Sequence, residues 1–344
     1  MRTGKNPSKT GIPAYTPHEL GIALLVYIPF LEGYFRHSLE ILKFQIASLY
    51  KSTEKQFNLL VFDNGSCSEV INALGDLHDL QYIEWLVLSR HNLGKVGAWN
   101  WIFGSMPNDL ICYADSDVLF RRGWLESSLG ILKAFPKAGM VSAQPTFHDV
   151  LDGKGVAHLS LNEEQDFRFS EYKPKNEIVE EYCLGIGADI ELAASFHNMT
   201  LDCITALRDN TSAVVGATHM QFIIPREVAR CLTPLPVSKG LHRAETTSLD
   251  RKIDELGYLH LSTQENYVMH MGNTLNEHLL AEVQELDGRF ESASTPENLV
   301  LSKKSTLFRL ILRLAEIPGI NHFFLKVYDF LYRVLYVEKQ QDIH

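Results

Sequence analysis

Two aspartates separated by one residue follow a short apolar run and could bind a metal ion. Asp115 and Asp117 come directly after residues 110–114, which have the composition of a strand buried in a sheet. On an extended chain, side chains at positions i and i+2 face the same way, so the two carboxylates are expected to point to one spot. Two anions held together repel unless something compensates, and a hard divalent cation with oxygen ligands is a natural partner. The alternative is a pair of acids that only closes a turn.

Other polar residues follow neighbouring apolar runs and could contact a nucleotide. The carboxylate of Asp63, at the end of the second run, would accept hydrogen bonds from a nucleobase. The sequence Asp63-Asn64-Gly65-Ser66 equally favours a turn that this carboxylate caps. Lys95 could contact phosphate, whereas the nearby asparagines could simply cap helices. The polar or small residues after the third run are Asn92, Gly94, Lys95 and Asn100.

The elements that must position these residues alternate between strand and helix. Short apolar runs are typical of strands buried on both faces, and apolar residues at helical spacing predict helices between them. The alternation predicts an α/β fold with a mostly parallel sheet, in which ligands bind beyond the carboxyl ends of the strands. The predicted strands are residues 22–28, 57–62, 83–88, 110–114, 139–143 and 220–224, and the predicted helices are residues 34–50, 69–77, 96–103, 124–135 and 248–256.

Composition excludes several other classes of protein. The chain has 344 residues, of which 45% are hydrophobic and 22% charged, so we expect a globular protein of about two domains. A net charge of -10 disfavours binding to nucleic acid, because phosphate contacts supply most of that affinity. The five cysteines are widely spaced with no C-x-x-C pair, which favours a reducing, cytoplasmic location over a disulfide scaffold or a zinc site. The apolar segment 20–31 is too short to span a bilayer and is interpreted as the first strand rather than a secretory signal.

The ordered set of these motifs resembles family 2 glycosyltransferases of the GT-A (Rossmann-like) fold. The resemblance covers residues 21–145 and 214–272. Glu245 to Gly257 has the spacing of the family's E-D-x-D-L…G segment, and His270 stands where that segment often ends in histidine. The other segments that carry the resemblance are Ile28-Pro29, Leu39-Glu40-Ile41-Leu42, Phe62-Asp63-Asn64-Gly65-Ser66, Asn92-Leu93-Gly94 with Asn100, and Asp115-Ser116-Asp117 at the place of the family's D-x-D motif.

The resemblance implies inverting transfer of a sugar from a nucleotide-sugar, usually a UDP-sugar, to a hydroxyl group, with Mn²⁺ or Mg²⁺ as cofactor. Asp63 would contact the nucleobase, Asp115 would hold the ribose or a metal-bound water, and Asp117 would bind the metal directly. His270 would approach the metal or the diphosphate from the far side. The implied donor-binding residues are Pro29, Asp63, Asn92, Gly94, Lys95, Asn100 and Asp115, and the implied metal ligands are Asp115, Asp117 and His270.

The catalytic base is less well defined by the resemblance, which places it in the segment that begins at Glu245. A carboxylate there would remove the proton of the acceptor hydroxyl during attack. The family's usual aspartate after the glutamate is Thr246 in this chain, and its later aspartate is Ser248. Glu245 is therefore the preferred base, with Asp250 or His242 as alternatives.

Four parts are expected along the chain. They are an amino-terminal arm (1–19), a nucleotide-sugar-binding half (20–148), an acceptor and catalytic half with an irregular insertion (149–275), and a carboxyl-terminal helical extension (276–344). Residues 303–337 combine apolar and basic side chains in two predicted helices. Such helices could lie peripherally on the cytoplasmic face of a membrane, or pack onto the catalytic domain or a second subunit in a homodimer.

The acceptor expected from the resemblance is a carbohydrate or a lipid-linked molecule, as in the synthesis of surface polysaccharide or glycolipid. Two other functions remain open. A sugar nucleotidyltransferase usually has a glycine-rich, basic segment after its first strand, which residues 28–35 lack. A nucleotide-sugar-binding protein without catalysis is compatible with Thr246 and Ser248. A dehydrogenase is disfavoured because no G-x-G-x-x-G follows any predicted strand.

Overall fold

The structure, a computed structural model, describes residues 15–147, 167–188, 190–237, 246–275 and 279–282. Its strands are β1 (Leu20–Val26), β2 (Phe57–Asp63), β3 (Trp85–Leu88), β4 (Leu110–Asp115), β5 (Val118–Phe120), β6 (Ala138–Ser142), β7 (Phe167–Tyr172), β8 (Leu201–Ala206), β9 (Ser212–Val215), β10 (Gln221–Pro225), β11 (Leu259–Ser262) and β12 (Val268–His270). Its helices are α1 (Ser38–Ser52), α2 (Ser68–Asp79), α3 (Gly94–Ser105), α4 (Trp124–Ala134), α5 (Asn176–Ile186), α6 (Ile190–His197), α7 (Arg226–Leu232) and α8 (Arg251–Glu255), with a 3-10 turn at Gly33–Phe35 and a π-helical turn at Thr246–Asp250.

Ten of these strands form one sheet in the order β3-β2-β1-β4-β10-β6-β11-β9-β8-β7. Strands β3, β2, β1 and β4 are parallel, as are β6 and β11. The predicted α/β fold, with a largely parallel central sheet flanked by helices, is confirmed. Strand β10 enters antiparallel between β4 and β6, so residues from the later half of the chain complete the sheet of the earlier half. The boundary expected at residue 148 therefore does not separate two sheets.

Strand β1 shows how the sheet is buried on both faces. Leu20, Ile22 and Leu24 pack into one apolar cluster together with side chains of α1, α2 and α4. Ala23, between them, packs into a second cluster with side chains of α3, α7 and α8. Because successive side chains of a strand point to opposite faces, an uninterrupted apolar run is what a strand between two helical layers requires.

The region expected to be an irregular insertion is partly regular. In its described part, strands β7, β8 and β9 pair antiparallel and extend the main sheet, and helices α5 and α6 accompany them. Strand β7 lies at the edge of the sheet with most of its side chains exposed. Since an exposed edge strand needs no continuous apolar run, Phe167–Tyr172 lacks the kind of run from which the other strands were predicted.

Residues 15–19, expected to belong to a loose arm, are bonded to the sheet. The Tyr15 hydroxyl donates a hydrogen bond to Glu84, and the His18 N–H donates to Asn58 Oδ1 at 2.8 Å. The rest of the arm, the candidate bases Glu245 and His242, and the expected helices at 303–337 lie outside the described residues. Within the described ranges, no helix is both long enough and apolar enough to cross a bilayer.

Candidate active site

Two of the predicted acids lie at the carboxyl edge of the sheet, on either side of β1. In the parallel register, Val26 pairs with Asp63 of β2 and Leu25 pairs with Asp115 of β4. Polar side chains at the ends of neighbouring parallel strands must project beyond the same edge. The length of the apolar run in each strand therefore determines where along the sheet its terminal aspartate lies.

Asp63 is fully buried, and its carboxylate organises the turn that follows. It accepts hydrogen bonds from the N–H groups of Gly65 and Ser66 at 3.2 Å. Gly65 has φ +97°, in the left-handed region that glycine adopts without strain. The geometry thus matches the capped turn, and both oxygens of Asp63 are used inside the protein rather than facing a ligand.

Two asparagines connect this turn to the loop after β3. The Asn64 side chain donates to Asn92 Oδ1 at 2.9 Å and accepts from the Leu93 N–H at 2.8 Å. Asn92 Oδ1 also accepts from the N–H of Gly94, the first residue of α3, at 2.8 Å. Gly94 has φ +71°. Asn92 and Gly94 therefore set the direction in which α3 begins and carries Lys95.

Lys95 and Asp115 form an ion pair at the edge of the sheet. Lys95 Nζ lies 2.9 Å from Asp115 Oδ2, and the Tyr113 hydroxyl donates to the other oxygen at 2.6 Å. The ammonium also lies 5.5 Å from the ring centre of Trp99 and 5.6 Å from that of Tyr113. A cation over aromatic faces is stabilised by the ring quadrupoles. This cation is therefore held at the point where strands β1 and β4 end.

The two aspartates of the D-x-D sequence have different neighbours. Strand β4 ends at Asp115, and a turn at Ser116 and Asp117 leads into β5. An extended chain was expected through this triplet, and the turn corrects that expectation. The carboxylate of Asp115 is bound by Lys95, whereas Oδ2 of Asp117 lies 3.4 Å from His270 Nε2.

His270 reaches Asp117 because β12 pairs antiparallel with β5. In this ribbon His270 lies opposite Val118, and the Met271 N–H donates to the Asp117 carbonyl at 2.7 Å. Both side chains keep between a quarter and a third of their surface exposed. Burial raises the pKa of Asp117; the nearby His270 counteracts this effect and Asp115 reinforces it. A carboxylate whose anionic form is destabilised in this way gains from an approaching cation.

Asp117 and His270 are compatible with part of a site for Mn²⁺ or Mg²⁺. Within the described part of the chain, no group of three or more His, Cys, Asp or Glu side chains is arranged to hold a metal ion. The imidazole Nδ1 of His270 is buried without a hydrogen-bond partner among the described residues, and its Nε2 faces the Asp117 carboxylate. One carboxylate and one imidazole suit a divalent ion that takes its remaining ligands from a diphosphate and water.

Helix α5 packs directly on the backbone of His270. A Cβ atom added at Gly185 would lie 2.8 Å from His270 Cβ and 2.9 Å from its carbonyl oxygen, closer than real Cβ contacts. Gly185 is therefore required for the close approach of this helix to β12.

We expect Gly185→Ala to lower the free energy of unfolding by about 1–3 kcal/mol, because either α5 or His270 must move. The same change in α3, Gly104→Ala, is the control, since a Cβ there meets nothing within 4 Å. It should be neutral or stabilising by up to about 1 kcal/mol. Urea unfolding of both variants checks the prediction, and equal stabilities would contradict it.

An ion cluster ties α5 to β5 behind His270. Arg121 donates two hydrogen bonds to Glu181, at 2.9 and 2.8 Å, and its Nε donates to Glu282 at 3.0 Å. Asn266 Nδ2 also donates to Glu181 at 3.0 Å. The two carboxylates raise the pKa of Arg121 against the effect of its burial. This cluster joins four separate segments of the chain, those of Arg121, Glu181, Asn266 and Glu282.

Two predicted donor-binding residues have other surroundings. The Asn100 amide donates to the Leu235 carbonyl at 2.9 Å and accepts from the Leu235 N–H at 2.6 Å. Both ends of this amide are therefore used to hold the segment after α7, and Asn100 is not included in the donor site below. Pro29 is half-buried just beyond β1. The neighbouring Ile28 is bonded to the Asp63–Ser66 turn through Ser66 Oγ at 2.9 Å.

A second group of titratable residues was not found from the sequence. His219 Nε2 lies 2.8 Å from Asp250 Oδ1, and His260 Nδ1 lies 3.5 Å from the same oxygen. His260 Nε2 lies 3.2 Å from Asp254. Asp250 was predicted only as an alternative base, and the histidines carry no local signal. Because His219 precedes an antiparallel strand, its position at the carboxyl edge follows from the order of strands in the sheet.

Comparison with known proteins finds a family for part of the chain. Residues 31–186, a little under half of the chain, match the model of Glycosyl transferase family 2. This range includes the Asp63 turn, Lys95 and both aspartates of the D-x-D sequence. No curated protein matches the chain.

Several solved structures are distantly similar. A mannosyltransferase from Pyrobaculum calidifontis in complex with GDP-Man and Mn²⁺ has 14% identity and a TM-score of 0.42, over 72% of this chain and 55% of its own. GalNAc-T7 with UDP, GalNAc and Mn²⁺ has 12% identity and a TM-score of 0.43, over 74% and 43%. S. aureus TarS 1–349 in complex with UDP-GlcNAc has 12% identity and a TM-score of 0.30, over 37% and 34%. This chain spans about half or less of the length of each, and these likenesses establish no activity or substrate for it.

Proposed function

We propose that this protein is an inverting glycosyltransferase that moves a sugar from a nucleotide-sugar to a hydroxyl acceptor with a divalent cation. The observation that carries the proposal is the meeting of Asp117 and His270, 3.4 Å apart, beside the Lys95–Asp115 pair at the carboxyl edge of the sheet. The match to Glycosyl transferase family 2 over residues 31–186 supports the same conclusion.

Each residue at this edge would contact a different part of the donor. Asp117 and His270 would hold Mn²⁺ or Mg²⁺, which when bound neutralises the charge that develops on a diphosphate leaving group. Lys95, now paired with Asp115, would turn its ammonium toward the diphosphate. Asp115 would then accept a hydrogen bond from the ribose. Trp99 and Tyr113 would keep water away from the lysine on its inner side.

The nucleobase is not assigned to Asp63, because that carboxylate is buried in its own turn. We propose instead that Asp63 stabilises the turn against which the nucleobase would lie. The proposed donor is therefore a nucleoside diphosphate-sugar, and the binding test below distinguishes uridine from guanosine. The acceptor is proposed as a carbohydrate or lipid-linked hydroxyl.

Binding and turnover test the proposal separately. We expect UDP or GDP together with Mn²⁺ to raise the melting temperature of the full chain, and nucleotide or metal alone to raise it less. Release of the same nucleoside diphosphate from its sugar donor should then be measured with UDP-GlcNAc, UDP-glucose and GDP-mannose. Stabilisation without release would identify a nucleotide-sugar-binding protein. No stabilisation by either nucleotide would overturn the proposed function.

A further inference from the structure

We propose that His219 is the general base of the transfer reaction and that Asp250 is the residue that positions it. The proposal rests on the proposed function. It adds the residue that accepts the proton of the acceptor hydroxyl, a role that none of the donor-binding residues has. It is argued from four side chains in a row, Asp254, His260, Asp250 and His219.

The geometry of the row fixes the orientation of the His219 ring. Nε2 of His219 lies 2.8 Å from Asp250 Oδ1. When Nε2 carries the proton and donates it to Asp250, Nδ1 is left with its lone pair. No described residue forms a hydrogen bond to this Nδ1, and about a fifth of the side chain is exposed. His219 is therefore arranged to take up a proton from outside the protein.

Asp250 also lies close to a second histidine, His260. Nδ1 of His260 lies 3.5 Å from the oxygen that contacts His219, and Nε2 of His260 lies 3.2 Å from Asp254 Oδ1. His260 belongs to β11, so this part of the row is anchored in the main sheet. A carboxylate at hydrogen-bond distance, as Asp250 is from His219, holds the imidazole in one tautomer and stabilises the imidazolium that forms when the base is protonated.

The row lies next to Trp99, the side chain on which Lys95 of the proposed donor site packs. The rings of His219 and Trp99 are 6.4 Å apart, and Lys95 Nζ lies 5.5 Å from the same Trp99 ring. In addition, the carbonyl of Met220 accepts the N–H of Asp115 at 2.8 Å. His219 is therefore next in sequence to Met220, whose carbonyl is hydrogen-bonded to Asp115 of the proposed donor site. The side chain of His219 is not itself part of the Asp117–His270 pair.

The reaction step is balanced as a single displacement. The acceptor O–H bond breaks and its proton passes to Nδ1 of His219. The acceptor oxygen forms a bond to the anomeric carbon. The bond from that carbon to the diphosphate oxygen breaks, and its electron pair leaves with the diphosphate. The proton on His219 then returns to solvent.

The test uses water as the acceptor, so that no acceptor needs to be identified. Release of UDP or GDP from UDP-GlcNAc, UDP-glucose and GDP-mannose is measured for the full chain and its variants with Mn²⁺. We expect His219→Gln to lower kcat by about 100-fold or more while KM for the donor changes little. Asp250→Asn should lower kcat by at least about 10-fold, with partial recovery in Asp250→Glu. His78→Gln, at an exposed histidine 3.8 Å from Asp79, is the control and should leave kcat unchanged.

Two further variants separate a base from a structural histidine. Added imidazole should restore part of the rate to His219→Gly, which a merely structural role does not predict. Glu245→Gln tests the rival base. The proposal is overturned if the unmodified chain releases nucleotide and His219→Gln does so within about threefold of it, or if only Glu245→Gln abolishes release. If the unmodified chain neither binds nor cleaves any donor, the proposed function fails first, and the assignment of His219 fails with it.

Discussion

Replacing Asp117 by alanine is expected to remove the Mn²⁺-dependent part of nucleotide binding and to slow transfer by about 1,000-fold. That factor corresponds to about 4 kcal/mol of transition-state stabilisation, the size expected when a metal ion is lost from a leaving group. The physical reason is that the proposed site has one protein carboxylate and one imidazole, 3.4 Å apart. Without the carboxylate, His270 alone would have to hold the cation.

The measurement is the shift in melting temperature with UDP or GDP, with and without Mn²⁺, followed by nucleotide release. Asp79→Ala is the matched control, because Asp79 is exposed at the end of α2 and lies outside the proposed site. Its stabilisation by nucleotide and Mn²⁺ should equal that of the unmodified chain. An Asp117→Ala protein that is still stabilised more by nucleotide with Mn²⁺ than by nucleotide alone would exclude Asp117 as a ligand.

The largest effect on stability is expected from Arg121→Met. This change leaves Glu181 and Glu282 together without their cation, each with a quarter or less of its side chain exposed. Removing the shared cation of a largely buried ion cluster typically costs about 3–5 kcal/mol, because the remaining carboxylates lose its charge in surroundings that water reaches only in part. We expect a loss of at least about 3 kcal/mol in the free energy of unfolding, measured by urea denaturation.

Lys175→Met is the control for this prediction. Lys175 pairs with Glu265 at 2.6 Å, as close as the Arg121 contacts, but both side chains are about half exposed or more. An exposed pair of this kind contributes little to stability, because solvent screens it. Similar losses in the two variants would show that burial does not govern the contribution of the Arg121 cluster. The double variant of Arg121→Met and Glu181→Gln should recover part of the lost free energy of unfolding, since it removes one of the two carboxylates that would otherwise repel each other.

Several features of the site were predictable because they depend on local sequence. The apolar runs that end at Asp63 and Asp115 predict strands buried on both faces, and parallel strands bring their ends to one edge. The Asp63-Asn64-Gly65-Ser66 turn follows from residue types that favour turns. The chain was expected to remain extended through Asp115-Ser116-Asp117, but it turns at Ser116 and Asp117, so the directions of the two side chains do not follow from the sequence.

By itself, the sequence determined the alternation of strands and helices, the parallel half of the sheet and the edge at which its polar residues emerge. These depend on the periodicity of apolar side chains within each segment, which local composition records. The family resemblance had already placed Asp117 and His270 at one metal ion, whereas only the tertiary structure decided that His219 meets Asp250 and that Asn100 holds Leu235. Each of these pairs joins segments far apart in the chain through antiparallel strands or loop packing. No local pattern encodes such a contact, because its partner is selected by the order of strands in the sheet.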